Sequence, residues 1–438
     1  MAFTFASSGR LALLLVGCGA LEHGATAATI SPLVASNDVA FLLRELPTRA
    51  GHFFAAKGIN WAAVSNQFQV EAQAITNEAE HVKLCQRLLA RLKDGHARLT
   101  DLKVKLPDES QGRRWTGPRV HLLVIGNRVY VRQAFGAASA RGIAIGQEVL
   151  SIDDLPARQW LDQRVDKLSA ESGYSTTNQA LYAACHWGLA DWEGAPIKFQ
   201  LLANGQTNAV IIVRNGGPNF APIGPIHPPP ALKSLGRQSY GKTAGGFGYI
   251  HLRDVPTDLP EQLDTMLTSL GDAPGLILDL RANGGGGCDH AAAFGRFLPT
   301  GTKWRQYESA GKHPFAGPLV VIVDAGTRSA GETVAGMLKE DGRAYLIGDT
   351  PTAGMSSSKT TLPVPSSLFA AYFSVRSNLG RCNGGRGIEG IGVPPHESVA
   401  YDPAELSRGV DSQIRRAEEL LTKGFPKDTV PFPAPTAK

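Results

Sequence analysis

The 438-residue chain has no apolar run of membrane-spanning length. The run nearest its amino terminus, Leu11 to Leu21, is about 11 residues, too short to cross a ~30 Å hydrocarbon layer as a helix. No run of Lys and Arg interleaved with aromatic residues occurs, and a net charge of +5 is small for this size, so nucleic acid is not expected as a partner. Cysteine is scarce, with five residues, and none stands in a C-x-x-C spacing or beside a His cluster. No zinc site, other metal or cofactor is therefore expected. Internal repeats and low-complexity tracts are also missing, which excludes solenoids and arrays. What is present, 43% hydrophobic and 19% charged residues, describes a globular chain with a sizeable core. Its length exceeds one core of the usual size and implies two or three domains, while 49 Gly and 28 Pro foretell many turns.

Arg10 precedes the apolar stretch LALLLVGCGAL, and the small residues Ala25-Thr26-Ala27-Ala28 follow as an A-x-A cleavage pattern. Residues 1–28 thus read as an export signal, which places the mature chain in the periplasm or outside the cell. Leu15-Val16-Gly17-Cys18 also resembles a bacterial lipobox, in which Cys18 would carry a lipid anchor. Both readings stand. Without Cys18, the cysteines Cys85, Cys185, Cys288 and Cys382 are even in number, in a compartment that favours disulfides. Three pairings are allowed and the sequence selects none. For Cys85, on the apolar face of a helix, a buried free thiol is the plainer reading.

Residues 29–110 read as a helical cap, with Val82, Cys85, Leu88, Leu89 and Leu92 recurring as one apolar stripe. Asp94-Gly95 ends that helix, with Gly95 as its C′ residue, and puts His96 just past the terminus. Over 115–215 the pattern turns to short alternating strands in VHLLVI, NRVYVRQAF, QEVLSIDD and IKFQLLANGQTNAVIIVR. Gly216 to Ala231 holds six prolines, so 216–240 reads as a linker. From 241 to 425 strands and helices alternate, which implies parallel strands joined by crossovers, and 426–438 is a tail.

In such sheets functional groups gather at the carboxyl ends of strands. GLILDL runs into Arg281-Ala282-Asn283-Gly284-Gly285-Gly286-Gly287, where four glycines let backbone N–H groups face a ligand. No Gly-Lys-Ser/Thr ending makes it a phosphate loop. LVVIVD leads into Ala325-Gly326-Thr327-Arg328-Ser329-Ala330-Gly331-Glu332, so Ser329 opens a helix and by itself reads as an N-cap. Adjacent parallel strands would bring the glycine turn beside Ser329 and the N–H after it, as an oxyanion hole demands. A serine nucleophile needs a base. His96 and His290 are the candidates, and spacing leaves both open.

From about 246 to 421 the segments FGYIHL, LILDLRANGGGG, VVIVDAGTRSAGE, MLKEDGRAYLIGDTPTAG and EGIGVPPHESVAYDPAELSRGVDSQI resemble the tail-specific, or C-terminal-processing, serine peptidases of the S41 type. The resemblance implies an α/β fold: a Clp protease/crotonase-like α/β core, an inserted PDZ-like β-rich domain and an amino-terminal helical cap that donates a histidine. The PDZ pattern is echoed by Ala138 to Val149. The family's nucleophile falls on Ser329, and its oxyanion hole on the N–H of Ala330 and a glycine N–H that aligns on Gly285. Its processing branch draws a base from Thr-x-Gly-Lys, but this chain has Thr352-Ala353-Gly354-Met355, and Met355 takes no proton. The chain is more similar to the tricorn protease branch, whose Leu-x-Asp-Gly-His motif makes His96 the base. That branch's glutamate falls on Glu389. There the carboxylate acts through a serine directly before the histidine, a place held here by Gly95, so Glu389 could reach His96 directly, through water or not at all.

The reading these residues imply is an exported serine peptidase that hydrolyses peptide bonds of peptides or unfolded proteins through an acyl-enzyme on Ser329. Two others stay open: a catalytically degenerate relative that binds peptide or lipid, and an esterase-like acyl hydrolase.

Overall fold

A computed structural model of the chain describes residues 28–203, 205–216 and 224–432. Nearly all of the expected export signal, with Cys18, part of the proline-rich stretch and the end of the tail lie outside them. No helix among the described residues is long and apolar enough to cross a membrane.

Helices α1 (Pro32–Ala50), α2 (Trp61–Ala72) and α3 (Glu78–Ala90) open the described chain. Each begins where a short polar side chain accepts an orphan N–H: Ser31 from Leu33, Asn60 from Ala63 and Asn77 from Glu80. Val39, Leu42, Leu46, Phe68, Val82, Leu88 and Leu89 form their common core, completed by Phe369 and Phe373 from far along the chain. The end of α3 differs from the sequence reading. Lys93, not Gly95, takes the positive φ, at 47°. Gly95 answers to space instead: a Cβ there would meet Gln179 Nε2 at 2.8 Å and Met355 Sδ at 2.9 Å, so those side chains would have to shift. Strand β1 (Arg98–Thr100) begins two residues after His96.

The next unit is an antiparallel sheet of β2 (Val120–Ile125), β3 (Arg128–Ala134), β4 (Glu148–Ile152), β5 (Pro196–Ala203) and β6 (Gln206–Val213), in that order across the sheet. Between β4 and β5 the chain forms two helices that the strand pattern did not anticipate, α4 (Ala157–Glu171) and α5 (Thr177–Cys185). Trp160, Leu161 and Leu168 of α4 and Ala183 and Ala184 of α5 are buried against the sheet. Their one-, seven- and eight-residue spacing was the helical signal.

The third unit carries the long sheet. Its strands are β7 (Lys233–Leu235), β8 (Gln238–Lys242), β9 (Gly248–His251), β10 (Leu276–Asp279), β11 (Leu319–Val323) and β12 (Tyr345–Gly348). A hairpin of β13 (Ser357–Pro363) and β14 (Ala370–Ser377) then leaves the sheet and pairs β14 with β1, before β15 (Glu397–Ser398) completes it. The order is β7-β8-β9-β10-β11-β12-β15, antiparallel as far as β9 and parallel beyond. Alternation along the strands feeds two cores. Ile250, Leu278, Val321 and Leu346 stand in register on one face, covered by α6 (Leu259–Leu270), α7 (His290–Gly295) and α8 (Ala330–Glu340). Tyr249, Ile277, Val320 and Ile347 face α9 (Ser412–Lys423). This double burial explains why the strands read as continuous apolar runs. The four described cysteines are free thiols; Cys85 is fully buried, with its sulfur 3.8 Å from His81 Nδ1.

At the end of β10, Arg281 is completely buried. Its guanidinium donates to Asp279 Oδ2 at 2.6 Å, Asp411 Oδ2 at 2.9 Å, Tyr401 Oη at 2.8 Å and Gln413 Oε1 at 3.0 Å. The charge thereby fastens the glycine turn's root to α9. Arg281→Met would strand two buried carboxylates, and urea unfolding should show a loss of about 3–5 kcal/mol; a loss under about 1 kcal/mol would contradict this account.

Candidate active site

Because β10, β11 and β12 are neighbours and parallel, the loops after their carboxyl ends lie side by side. Thr327 Oγ1 donates to Leu280 O at 2.7 Å, and Arg328 N–H to Asn283 O at 3.0 Å, joining the first two loops. Ala282 N–H and Gly326 N–H share Asp324 Oδ1, each at 2.9 Å. Ala353 N–H donates to Thr327 O at 2.9 Å and draws in the third loop.

Ser329 sits at the turn from β11 into α8 with φ 55° and ψ −121°. A non-glycine residue there stores strain, which must be held by its surroundings. Glu332, one turn into α8 and fully buried, supplies the hold. Its Oε2 accepts the N–H groups of Ser329 and Met355, each at 2.9 Å, and its Oε1 accepts Thr352 Oγ1 at 2.6 Å and Gly354 N–H at 2.7 Å. Burial pushes its carboxyl up, but two donors on each oxygen leave no position for a proton and hold the group as a carboxylate. One carboxylate therefore fixes the serine turn to the segment Thr352–Met355.

The glycine turn lies against Ser329: a Cβ on Gly285, whose φ is 80°, would meet Ser329 Cβ at 2.7 Å. The expectation that Gly285 supplies an oxyanion N–H is revised by this geometry, since that N–H donates to Asn283 Oδ1 at 2.8 Å. The N–H groups of Gly284 and Gly287 are taken by Arg253 O and Val255 O. Gly286 N–H has no acceptor among the described residues, and neither has Ala330 N–H.

The helical cap brings His96 to the same place. Met355 Sδ touches Gly95, and Met355 N–H shares a carboxylate oxygen with Ser329 N–H, so two contacts connect base and nucleophile segments. Among the described residues no hydrogen bond joins Ser329 Oγ to the His96 ring, as is common before substrate binds. Both residues are partly exposed. Burial, reinforced by Lys359, Arg98 and Arg328, lowers the His96 pKa to about 4 against the pull of Asp94, so the ring is neutral at pH 7. His96 Nδ1 faces Ser357 Oγ at 3.5 Å.

Glu389 is buried, and its Oε1 accepts Lys57 Nζ at 2.8 Å and Ser175 Oγ at 2.9 Å. Ser175 Oγ in turn accepts Gly95 N–H at 2.9 Å. Glu389 Oε2 is buried without a partner. Ligand-type atoms of Asp94, His96 and Glu389 lie within 4.8 Å of one another, and Lys57 already supplies the positive charge there. Burial raises the Glu389 pKa to about 7, although Lys57 opposes the rise. His290 is placed otherwise: it opens α7, beside an apolar cavity lined by Leu252, Leu263, Phe294 and Val334, with Cys288 Sγ 3.6 Å from Nδ1. Nothing described connects it to Ser329.

Glu332, Lys57, Ser175, Ser357 and Ser374 carry no site role in the sequence alone, and Asp94 enters only as part of the motif before His96. Only Glu332 carried a local signal, the three-residue capping-box spacing from Ser329; the others come from distant segments.

Residues 246–399 match Peptidase family S41. A carboxyl-terminal-processing protease of Picosynechococcus sp. is 29% identical over 198 residues, 42% of this chain and 47% of the relative. A carboxy-terminal-processing protease of Bartonella bacilliformis is 30% identical over 156 residues, 33% of this chain and 35% of the relative. The chain thus spans about half the length of the first relative or less of the second. The crystal structure of mature CPAF superposes with a TM-score of 0.67 over 90% of this chain and 97% of that one, at 13% identity, which shows a shared fold.

Glu332→Gln would replace an acceptor of four hydrogen bonds by a group that can accept on one atom only. At least one buried N–H is then stranded, at a cost of about 1–3 kcal/mol. Chemical unfolding should show that loss, and activity should fall with it; a variant of native stability would mean that the Ser329 turn holds itself.

Proposed function

We propose that this chain, whose residues 246–399 form a domain of peptidase family S41, is a serine peptidase acting on peptides or unfolded proteins. The carrying observation is that Glu332 holds the strained Ser329 turn against the segment whose Met355 touches Gly95 and so adjoins His96. His96, neutral at pH 7, removes the Ser329 hydroxyl proton as the oxygen attacks a peptide carbonyl. Ala330 N–H and Gly286 N–H are free to hold the oxyanion. The imidazolium gives its proton to the leaving amine, and water then releases the acyl group from Ser329. Glu389 stands close enough to favour the positive ring, with Lys57 and Ser175 keeping its other oxygen occupied. On this reading the protein works as a Ser-His peptidase, as the tricorn protease branch does. The export-signal pattern read in 1–28 is in keeping with a periplasmic or extracellular site, and the β-rich unit with a PDZ-like module that holds substrate at its sheet edge.

A fluorophosphonate should label Ser329 in the folded protein, and casein should be hydrolysed. Ser329→Ala and His96→Ala should each lower kcat on the order of 10⁴-fold or more while leaving Tm within about 2 °C. Absence of labelling would favour a binding protein, and cleavage of esters but not peptides an acyl hydrolase.

The pH profile follows from the two shifted groups. His96 is already unprotonated above about 4, whereas Glu389 becomes a carboxylate only above about 7. Activity should therefore rise as pH passes through about 7. In Glu389→Gln that rise should vanish and the remaining acid limb should lie near 4; an unchanged profile would remove Glu389 from the mechanism.

A further inference from the structure

The hydroxyl groups behind His96 can be assigned proton by proton. Asp94, buried two residues before the histidine, acts only as an acceptor: Oδ1 takes His96 N–H at 2.9 Å and Ser374 Oγ–H at 2.9 Å, and Oδ2 takes Ser374 N–H at 2.7 Å. A serine hydroxyl has one proton to give. With that of Ser374 committed to Asp94, the 2.6 Å contact between Ser357 Oγ and Ser374 Oγ requires Ser357 to be the donor. Ser357 Oγ can then only accept from the imidazole, which puts a proton on His96 Nδ1 at the 3.5 Å contact. A neutral ring carries one proton, so Nε2 is left bare. That is the tautomer a general base needs, and the partner of one ring nitrogen decides the state of the other.

We infer that Asp94, acting through the Ser374 and Ser357 hydroxyls, is the group that fixes the tautomer and orientation of His96. All three are positioning residues. The relay runs from the cap through the β13–β14 hairpin, which pairs with β1 beside the histidine. Glu389 serves a separate purpose, because its Oε1 is committed to Lys57 and Ser175 and no hydrogen bond joins it to the ring among the described residues. The charged groups acting on His96 are Asp94 from its own segment, Lys359 from β13, Arg98 from β1 and Arg328 from the serine turn, with the Glu389 carboxylate close by.

The inference rests on His96 as the base, and the experiment separates the two. In the full chain labelled with 15N-histidine, ring shifts of His96, identified by difference from His96→Gln, should report a protonated Nδ1 and a bare Nε2 near neutral pH. A protonated Nε2 overturns the relay, whatever the protein cleaves. Ser357→Ala and Ser374→Ala should each lower kcat on the order of 10- to 100-fold with KM within about twofold. The double variant should be little worse than either single one, as expected for links in one chain. Ser374→Thr, which keeps the hydroxyl, should restore most of the rate. Native kcat in both alanine variants overturns the relay. Should Ser374→Ala fail to fold, Ser357→Ala leaves Asp94 fully bonded and carries the kinetic arm. If a fluorophosphonate leaves Ser329 unlabelled in the native protein, the peptidase reading fails, and the His96 tautomer alone decides the relay.

Discussion

The buried carboxylate of Glu332 is the constraint on which the site depends. It accepts from four donors in two segments about 20 residues apart in sequence, and no lone pair facing the site is left over. A charge this deep is costly to bury unless it is fully bonded. Losing any one donor therefore weakens the reason for the rest, so the Ser329 turn and the Thr352–Met355 segment hold or fail together. That coupling maintains a φ of 55° at a serine, which propensity alone would reject.

The sheet explains how those segments come to meet. Because β9 to β12 follow one another in both sequence and space, there is no point at which the strand order reverses within this row. The site is built along three consecutive carboxyl ends, with Asp324, Thr327 and Asn283 bridging each loop to the next. Helix α8 is buried from Ala330 to Leu338. A helix so placed cannot shift to relieve strain at its first turn.

The parts legible in the sequence were those whose signals are local. Double-sided apolar strands, the glycine turn after β10 and Ser329 after β11 each lie within a dozen residues, and the order of the α/β elements followed from them. Two helices, α4 and α5, were hidden because their buried positions are few and the surrounding segments alternate as strands do. Gly95 was assigned a backbone role from its position after a helix, but the chain turns at Lys93 and Gly95 answers to side chains from two other units. The relay behind His96 was invisible for the same reason. Ser357, Ser374 and Asp94 come together through the hairpin's pairing with β1, and no spacing in the sequence encodes that.

Two departures from the resembled family turn out to be one structural fact. Where the processing branch has a lysine the chain has Met355, and where the tricorn branch has a serine before the histidine it has Gly95. The two residues touch: any side chain at 95 would drive its Cβ to within 2.9 Å of the Met355 sulfur. With the thioether in place, a larger residue before the histidine would have to displace it. Ser175 supplies a hydroxyl between Gly95 N–H and Glu389.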